Sequence, residues 1–332
     1  MNSEIRHAAD ILRRGGLVAF PTETVYGLGA DARSAQAILG IFSAKGRPAT
    51  NPLIVHVTDA AMASRYAAHW PPLAEQLARL FWPGPLTLVV KKRPEIVDQA
   101  TAGRDTVALR SPDHPLAQAL IAAFDGPIAA PSANRSTRVS PTTADHVRQQ
   151  LGDRVEMILD GGPCRVGIES TVLDLTPPTP RLLRPGGITL SQLRQAIGDV
   201  DYTPQITNQH VAATSPGQHA IHYSPVAPAF RFDAPDRPAL SAWCRTHADE
   251  PAAILMVGPL PADDPLRTAL SPLHHVVEMP SDPGNYARRL YHALHAADAI
   301  RPAAIWVQCP PGTPDWLAIH DRLRRATQPI SE

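Results

Sequence analysis

The chain has 332 residues, more than the ~250–300 at which a single hydrophobic core stops growing, so two domains are expected. Its 31 basic and 31 acidic residues cancel, which excludes a protein that grips nucleic acid by bulk positive charge and leaves room only for a local basic patch. Cys164, Cys244 and Cys309 stand far apart without a CxxC pair, a spacing that argues against a disulfide framework or a zinc site and for a reducing compartment. The N-terminal MNSEIRHAADILRRGG lacks an apolar signal core, and no apolar run approaches the ~18 residues that span a bilayer. A soluble, cytoplasmic protein without a membrane partner is therefore expected.

Ser3 caps a first helix whose apolar positions Ile5, Ala8, Ala9, Ile11 and Leu12 recur at helical spacing until Gly15 and Gly16 stop it. Residues 17–20 form an apolar run between Gly16 and Pro21, the pattern of a buried strand. Thr22, Glu23 and Thr24 then set side-chain oxygens at the strand end. Gly27 and Gly29 follow, and glycine lets backbone approach a ligand without steric cost. Ligands collect at the carboxyl ends of strands in open α/β sheets, so the stretch reads as a small-molecule site; a glycine turn with solvated threonines is the alternative.

Residues 34–44 read as a helix ending at Lys45-Gly46-Arg47, 53–57 as a strand, 72–82 as an amphipathic helix closed by Pro-Gly-Pro, and 86–90 and 107–110 as strands. A helix over 114–124, a strand at 128–130 and a helix over 142–151 follow. Strand-like runs at 156–160, 171–175 and 181–184 and a helix over 190–197 complete the first half. Strands and helices alternate without strict order, so a twisted, mixed α/β sheet is expected in place of a purely doubly wound one. Residues 199 to about 225 carry prolines and small polar groups with no sustained periodicity, the pattern of a long linker. From Pro228 onward a helix at 239–247, strands at 254–257 and 275–279, a helix at 286–300, a strand at 304–307 and a helix at 315–326 read as a small βαβ-type domain. The expected division is a catalytic domain over 1–200, a linker or lid over 201–227, and a C-terminal α/β domain over 228–332.

Several chemistries are set aside. GLGADA (27–32) mimics a dinucleotide fingerprint, but PTETVY separates it from its strand and no ribose-binding acid follows in 49–53. No Walker loop and no GxSxG elbow occurs. His292, His295 and Asp298 flank an apolar stripe of Leu290, Leu294, Ala297 and Ile300, which reads as a solvated helix shoulder before it reads as a metal site. What remains is a set of cations. Lys45 and Arg47 follow a helix, where capping its dipole is the simplest explanation. Arg110 and Arg184 each end a buried strand, and such positions rarely carry arginine without an anionic partner. Guanidinium forks fit carboxylate and phosphate, so one carboxylate ligand and one polyphosphate are the expected pair.

PTETVYGLG, KGRPATNPL, WPGPLT, APSANRS and ESTVLDL occur in this order, and together they resemble the YrdC-type threonylcarbamoyl-AMP synthases. The resemblance covers about the first 190 residues, and SPGQHAIHYSP (215–225) with the tail resembles the long, two-domain form. It implies a YrdC-like catalytic domain that condenses L-threonine, bicarbonate and ATP into threonylcarbamoyl-AMP. Pyrophosphate is released with Mg2+ present, and the product passes to a tRNA threonylcarbamoyl transferase complex. Carried over by position, the resemblance sets threonine against Thr24, His56, Arg110, Ala130 and Ser170. ATP is set against Arg47, Asn51, Thr106, Ser132, Ser140 and Arg184, with Tyr223 reaching in from the linker. Lys45 and Asn134 complete the family's K-x-R and S-x-N signatures. The linker departs from the family by carrying less basic character before His222-Tyr223, which weakens the case for phosphate contact there.

No residue stands out as a general base, and His56 is as well suited to orienting substrate as to moving protons. Two other classes stay open: an RNA-binding module with Lys45, Arg47, Arg135 and Arg138 lining one concavity, which would also allow weak RNA contact by an enzyme, and a carbamoyl transferase containing a YrdC-like domain.

Overall fold

The computed structural model describes residues 3–203 and 222–330. These divide into two compact units, one of residues 3–136 and 140–203, the other of 137–139 and 222–330. The first unit holds helices α1 (Ser3–Arg13), α2 (Ala35–Lys45), α3 (Ala60–Ser64), α4 (Pro72–Phe81), α5 (Asp98–Thr101), α6 (Pro115–Phe124), α7 (Ala144–Leu151) and α8 (Leu190–Ile197). Its strands are β1 (Val18–Phe20), β2 (Gly27–Asp31), β3 (Ile54–His56), β4 (Leu86–Lys91), β5 (Thr106–Arg110), β6 (Ile128–Ala129), β7 (Met157–Ile158), β8 (Thr171–Asp174) and β9 (Arg181–Arg184). They form one sheet in the order β7-β1-β2-β6-β3-β5-β4-β8-β9, mixing parallel pairs (β3 with β5, β4 with β8) and antiparallel ones (β4 with β5, β8 with β9). The mixed sheet matches the sequence expectation.

Alternation along the strands gives this sheet two different faces. On one, Val55, Val90, Val107, Leu109 and Ala129 join the main core with residues of α1, α2 and α6. Further along that face, Leu86, Leu88, Leu173 and Leu182 pack with Ala74 and Leu77 of α4 and Leu193 of α8. The opposite face has a small apolar floor of Ile54, Val89, Ala108 and Val172. Register pairs Ile54 with Ala108, His56 with Arg110, Val89 with Ala108 and Val172 with Arg184, so His56, Arg110 and Arg184 share that second face. A strand such as Thr106–Arg110 thus sends Val107 and Leu109 into the helices and Thr106, Ala108 and Arg110 the other way.

The opening motif differs from its sequence reading. Gly27 and Gly29 are not in a ligand-facing loop but inside β2, paired antiparallel with Phe20 and Val18 of β1. A Cβ on Gly29 would stand 2.8 Å from Phe20 Cε1 and 2.9 Å from Ile128 Cγ2, so close packing against the neighbouring strands demands glycine there. Thr22, Glu23 and Thr24 are buried, not solvated. The helix over 34–44 forms as expected: the Ser34 side chain accepts from the Ala37 amide, and Gly46 ends the helix at φ 61°, a left-handed conformation suited to glycine.

The second unit is a five-stranded, wholly parallel sheet of β10 (Ala229–Phe232), β11 (Ala252–Val257), β12 (His274–Met279), β13 (Ala304–Gln308) and β14 (Gln328–Pro329), in the order β12-β11-β13-β10-β14. Helices α9 (Arg237–Thr246), α10 (Pro283–Ala299) and α11 (Leu317–Ala326) connect its strands. Phe232, Leu240, Cys244, Ile254, Met256 and Trp306 form its core. Strands β10 and β14 escape the sequence reading because they are short and carry Arg231 and Pro329; only pairing with β13 and with each other makes them strands. Asp298, read as part of a solvated helix shoulder, accepts the Val226 and Ala227 amides at 2.6 and 2.9 Å. Most of the expected linker, 204–221, lies outside the described residues, and so does the greater part of the lid reading. Val200 belongs to the first unit's packing, whereas residues 222–225 belong to the second unit.

Gly29→Ala is expected to destabilise the first unit by about 1–3 kcal/mol through overpacking against Phe20 and Ile128. Thermal melts of the variant check this, and an unchanged midpoint contradicts the packing account.

Candidate functional site

The second face of the first sheet gathers the expected threonine residues around Arg110. Its guanidinium is buried, 4% exposed, and its Nη2 donates to Thr24 Oγ1 at 2.9 Å. Nε donates to the Gly84 carbonyl at 3.3 Å, which the Pro-Gly-Pro turn at 83–85 delivers. Nη2 also lies 2.7 Å from Oε1 of Glu23, whose other oxygen accepts the Asp113 amide at 3.0 Å. The threonines are pre-set by their own turn: Thr22 Oγ1 donates to the Val25 carbonyl, accepts the Thr24 and Val25 amides, and meets Thr24 Oγ1 at 2.8 Å.

His56 stands level with Arg110 on the adjacent parallel strand, its ring edge-on to Phe20 with centroids 5.8 Å apart. Burial, reinforced by the charge of Arg110, pushes its pKa down to about 3, so it is neutral at physiological pH. Nδ1 is buried without a hydrogen-bond partner. Ala130 donates its amide to Ile54 and carries no side-chain chemistry. Ser170 meets Thr87 Oγ1 at 2.8 Å, and Thr87 belongs to β4, beside Arg110.

The expected ATP residues form two groups. Lys45 is buried and its ammonium bonds the Ser132 carbonyl, the Asn134 carbonyl and, at 3.5 Å, Asn134 Oδ1. None of these oxygens is charged, and burial, with Arg47 adding repulsion, lowers the Lys45 pKa well below its usual value. Lys45 is therefore more than a helix-dipole cap: it ties α2 to the loop that carries Ser132 and Asn134. Arg47 donates to Pro52 O at 3.4 Å, and Asn51 is buried in the same turn. Extending the Ile54–Ala108 register by two residues sets Thr106 beside Pro52. Thr106 and Arg110 are thus at opposite ends of β5, ~13 Å apart at ~3.3 Å per residue. The second group lies nearer Arg110: Arg184 donates to the Ser170 carbonyl at 3.0 and 2.8 Å and to its hydroxyl at 3.1 Å, and Ser140 donates to Glu169 Oε1 at 2.7 Å. Ser170 is where the two expected sets meet.

Tyr223 belongs to the second unit. Its ring is buried, stacked on Tyr291 at 5.6 Å, with the Arg322 guanidinium 5.3 Å over its face. It adopts φ 63°, and its neighbour Ser224 donates to Thr137 O at 2.8 Å. Sequence reading named Glu23 only as one of the oxygens at the end of the first strand, without Arg110 as its partner, and missed Glu169 and Thr87 as members of these networks. Both glutamates were findable in these roles, because buried arginines at strand ends ask for a counter-charge and the motifs PTET and ESTVLDL each supply one beside a candidate residue.

A mixed α/β domain whose one sheet face carries buried cations, hydroxyls and a neutral imidazole defines a class of small-molecule site built for anionic groups. Residues 10–186 match the family model Sua5_yciO_yrdC, described as telomere recombination, and 188–328 match the C-terminal domain of threonylcarbamoyl-AMP synthase. The threonylcarbamoyl-AMP synthase of Bacillus subtilis is 48% identical over 226 residues, 68% of this chain and 65% of that protein. The Pyrococcus abyssi enzyme is also 48% identical, over 70% of this chain and 68% of its own length. The crystal structure of P. abyssi Sua5 complexed with L-threonine superposes with a TM-score of 0.87 at 38% identity, covering 98% of this chain and 96% of that one. The chain belongs to the Sua5/YrdC family of threonylcarbamoyl-AMP synthases, in its two-domain form. Among the described residues, no helix is long and apolar enough to cross a membrane.

The depressed pKa of His56 sets a pH dependence. Between the unfolded value near 6.5 and about 3, the unfolded chain binds a proton that the native imidazole refuses, so this group's contribution to stability falls as pH falls through that window. His56→Gln is expected to remove up to ~1.4 kcal/mol per pH unit from the slope of stability between pH 6 and 4. Denaturant melts of the two proteins across that range check it; parallel slopes contradict the assignment.

Proposed function

We propose that this chain is an L-threonylcarbamoyladenylate synthase, which joins L-threonine, bicarbonate and ATP and releases pyrophosphate. The observation that carries the reading is the gathering of Thr24 and His56 at Arg110, with the bonded Thr87–Ser170–Arg184 set beside it on the same sheet face. The neighbouring P. abyssi structure, solved with L-threonine, supports the choice of amino acid.

The threonine carboxylate binds the Arg110 fork, which Thr24, Gly84 and Glu23 hold in place. Neutral His56 offers a hydrogen bond without adding charge. The amine, in its neutral form, forms an N–C bond to carbon dioxide and gives up a proton, or to bicarbonate with a C–O bond broken and water lost, leaving a carbamate in either case. A carbamate oxygen then attacks the α-phosphorus of ATP; the bond to the β-phosphate oxygen breaks and pyrophosphate leaves. Arg184, Arg47 and Lys45 serve the phosphates by charge and by fixing the Ser132–Asn134 loop, so catalysis is mostly positioning and electrostatics.

Magnesium supplies neutralisation of the phosphate charge when it enters with ATP. Among the described residues, no group of three or more His, Cys, Asp or Glu side chains is placed to hold a metal ion. Tyr223, in the expected linker, is the proposed contribution of that segment to ATP binding. The labile product is handed to a transferase complex that modifies tRNA.

Arg110→Ala is expected to weaken threonine binding by about 2–4 kcal/mol with little change for ATP, and Arg184→Ala to weaken ATP more than threonine. Pyrophosphate release with each substrate varied in turn, in the absence of RNA, checks both. Wild-type protein that releases no pyrophosphate from threonine, bicarbonate and ATP overturns the reading.

A further inference from the structure

Arg110 is shared between two claims. It is the proposed fork for the substrate carboxylate, yet its Nη2 already lies 2.7 Å from the carboxylate of Glu23. Glu23 is 1% exposed and fixed from several sides: Oε2 accepts the Asp113 amide, and its backbone carbonyl accepts the Val166 amide at 2.7 Å. Oε1 accepts no hydrogen bond, despite its closeness to Arg110. The arrangement therefore leaves an anionic acceptor open beside the guanidinium.

Of the other titratable groups around Glu23, Asp113 and Arg165 are half-exposed and pair with each other at 2.6 Å, and the buried ones add no charge at neutral pH. Cys164 is held as a thiol, its pKa pushed up to about 12 mainly by burial, and burial lowers the pKa of His114. His56, beside Arg110, is neutral as well. Among the buried groups one positive and one negative remain, Arg110 and Glu23, in contact and out of water. A subsite with that balance complements a ligand that also carries one charge of each sign on adjacent atoms. A bare carboxylate would meet Arg110 but also the repulsion of Glu23, and it would leave Oε1 unsatisfied.

We propose that Glu23 is a specificity-determining residue, which makes the Arg110 subsite select a zwitterionic α-amino acid over a simple carboxylate anion of the same shape. The proposal rests on the reading of Arg110 as the carboxylate fork. Arg110 takes the carboxylate, and Glu23 Oε1 takes the α-ammonium as it arrives. Selection arises before chemistry, through a charge pattern and not through pocket volume.

The test uses the full chain and its Glu23→Gln variant, titrated by calorimetry with L-threonine and with (R)-3-hydroxybutyrate, which is threonine without its α-amine. Wild-type protein is expected to prefer threonine by at least ~100-fold, because a site built around a polar group rejects a ligand lacking the partner. Glu23→Gln keeps an acceptor for the Asp113 amide and removes the charge, so the preference is expected to shrink by ~10-fold or more. If Glu23 only supports the structure, both affinities fall together and the ratio stays put, which overturns the proposal. Should the variant fail to fold, the wild-type ratio decides: affinities within about threefold of one another overturn it. Wild-type protein that binds neither ligand overturns the threonine-site reading itself, whereas one that binds threonine with a ratio unmoved in the variant removes the role of Glu23 alone.

Discussion

The burial of one guanidinium organises the first unit. Arg110 ends a strand in the middle of a nine-stranded sheet, and an arginine so placed is costly unless every direction of its fork is met. Thr24 and Glu23 arrive from the segment after β1, and Gly84 from the turn before β4. Segments 26 and 86 residues away in sequence are thereby pulled to one point. The reason for an oddly polar, proline-bounded stretch after β1 is this demand, not solvent exposure.

The sheet itself explains why a binding face exists at all. Helices cover one side, where Val107 and Leu109 point, and a few residues, the small Ala108 among them, line the other. Small side chains leave height above the sheet, and the polar residues among them supply contacts at its margins. Charge is then sorted along the face: Arg110 has its own carboxylate neighbour, whereas Lys45 is surrounded by uncharged oxygens and its charged form is disfavoured. Bound phosphate would relieve that cost for Lys45 and Arg47, while the Arg110 pair is already balanced. The two ends therefore differ in charge balance.

The second unit holds residues 222–225 through aromatic and ionic packing. Tyr223 lies between the ring of Tyr291 and the guanidinium of Arg322, and Arg322 and Arg325 both bond the buried carboxylate of Asp321. His222 donates its amide to the Arg325 carbonyl, and Arg138 reaches Pro225 O at 2.8 Å. A left-handed φ at both Thr137 and Tyr223, neither of them glycine, marks backbone that this packing must over-determine to keep.

Local pattern in the sequence determined the mixed α/β class, nearly every helix, and the list of cations at strand ends. Those signals are carried by near neighbours: helical spacing over 34–44 and 114–124, a cap at Ser34, apolar runs closed by proline or glycine. The motifs also carry the family resemblance, and with it the expected substrate contacts. Only the tertiary structure decided that Gly27 and Gly29 are a strand, because their need for glycine comes from Phe20 and Ile128, on other strands. The same holds for β10 and β14, whose few residues become strands by pairing. It alone showed that Arg110 has a buried acidic partner and that Tyr223 packs among Tyr291 and Arg322, since burial and counter-charge are properties of what surrounds a residue, and neighbours distant in sequence provide them.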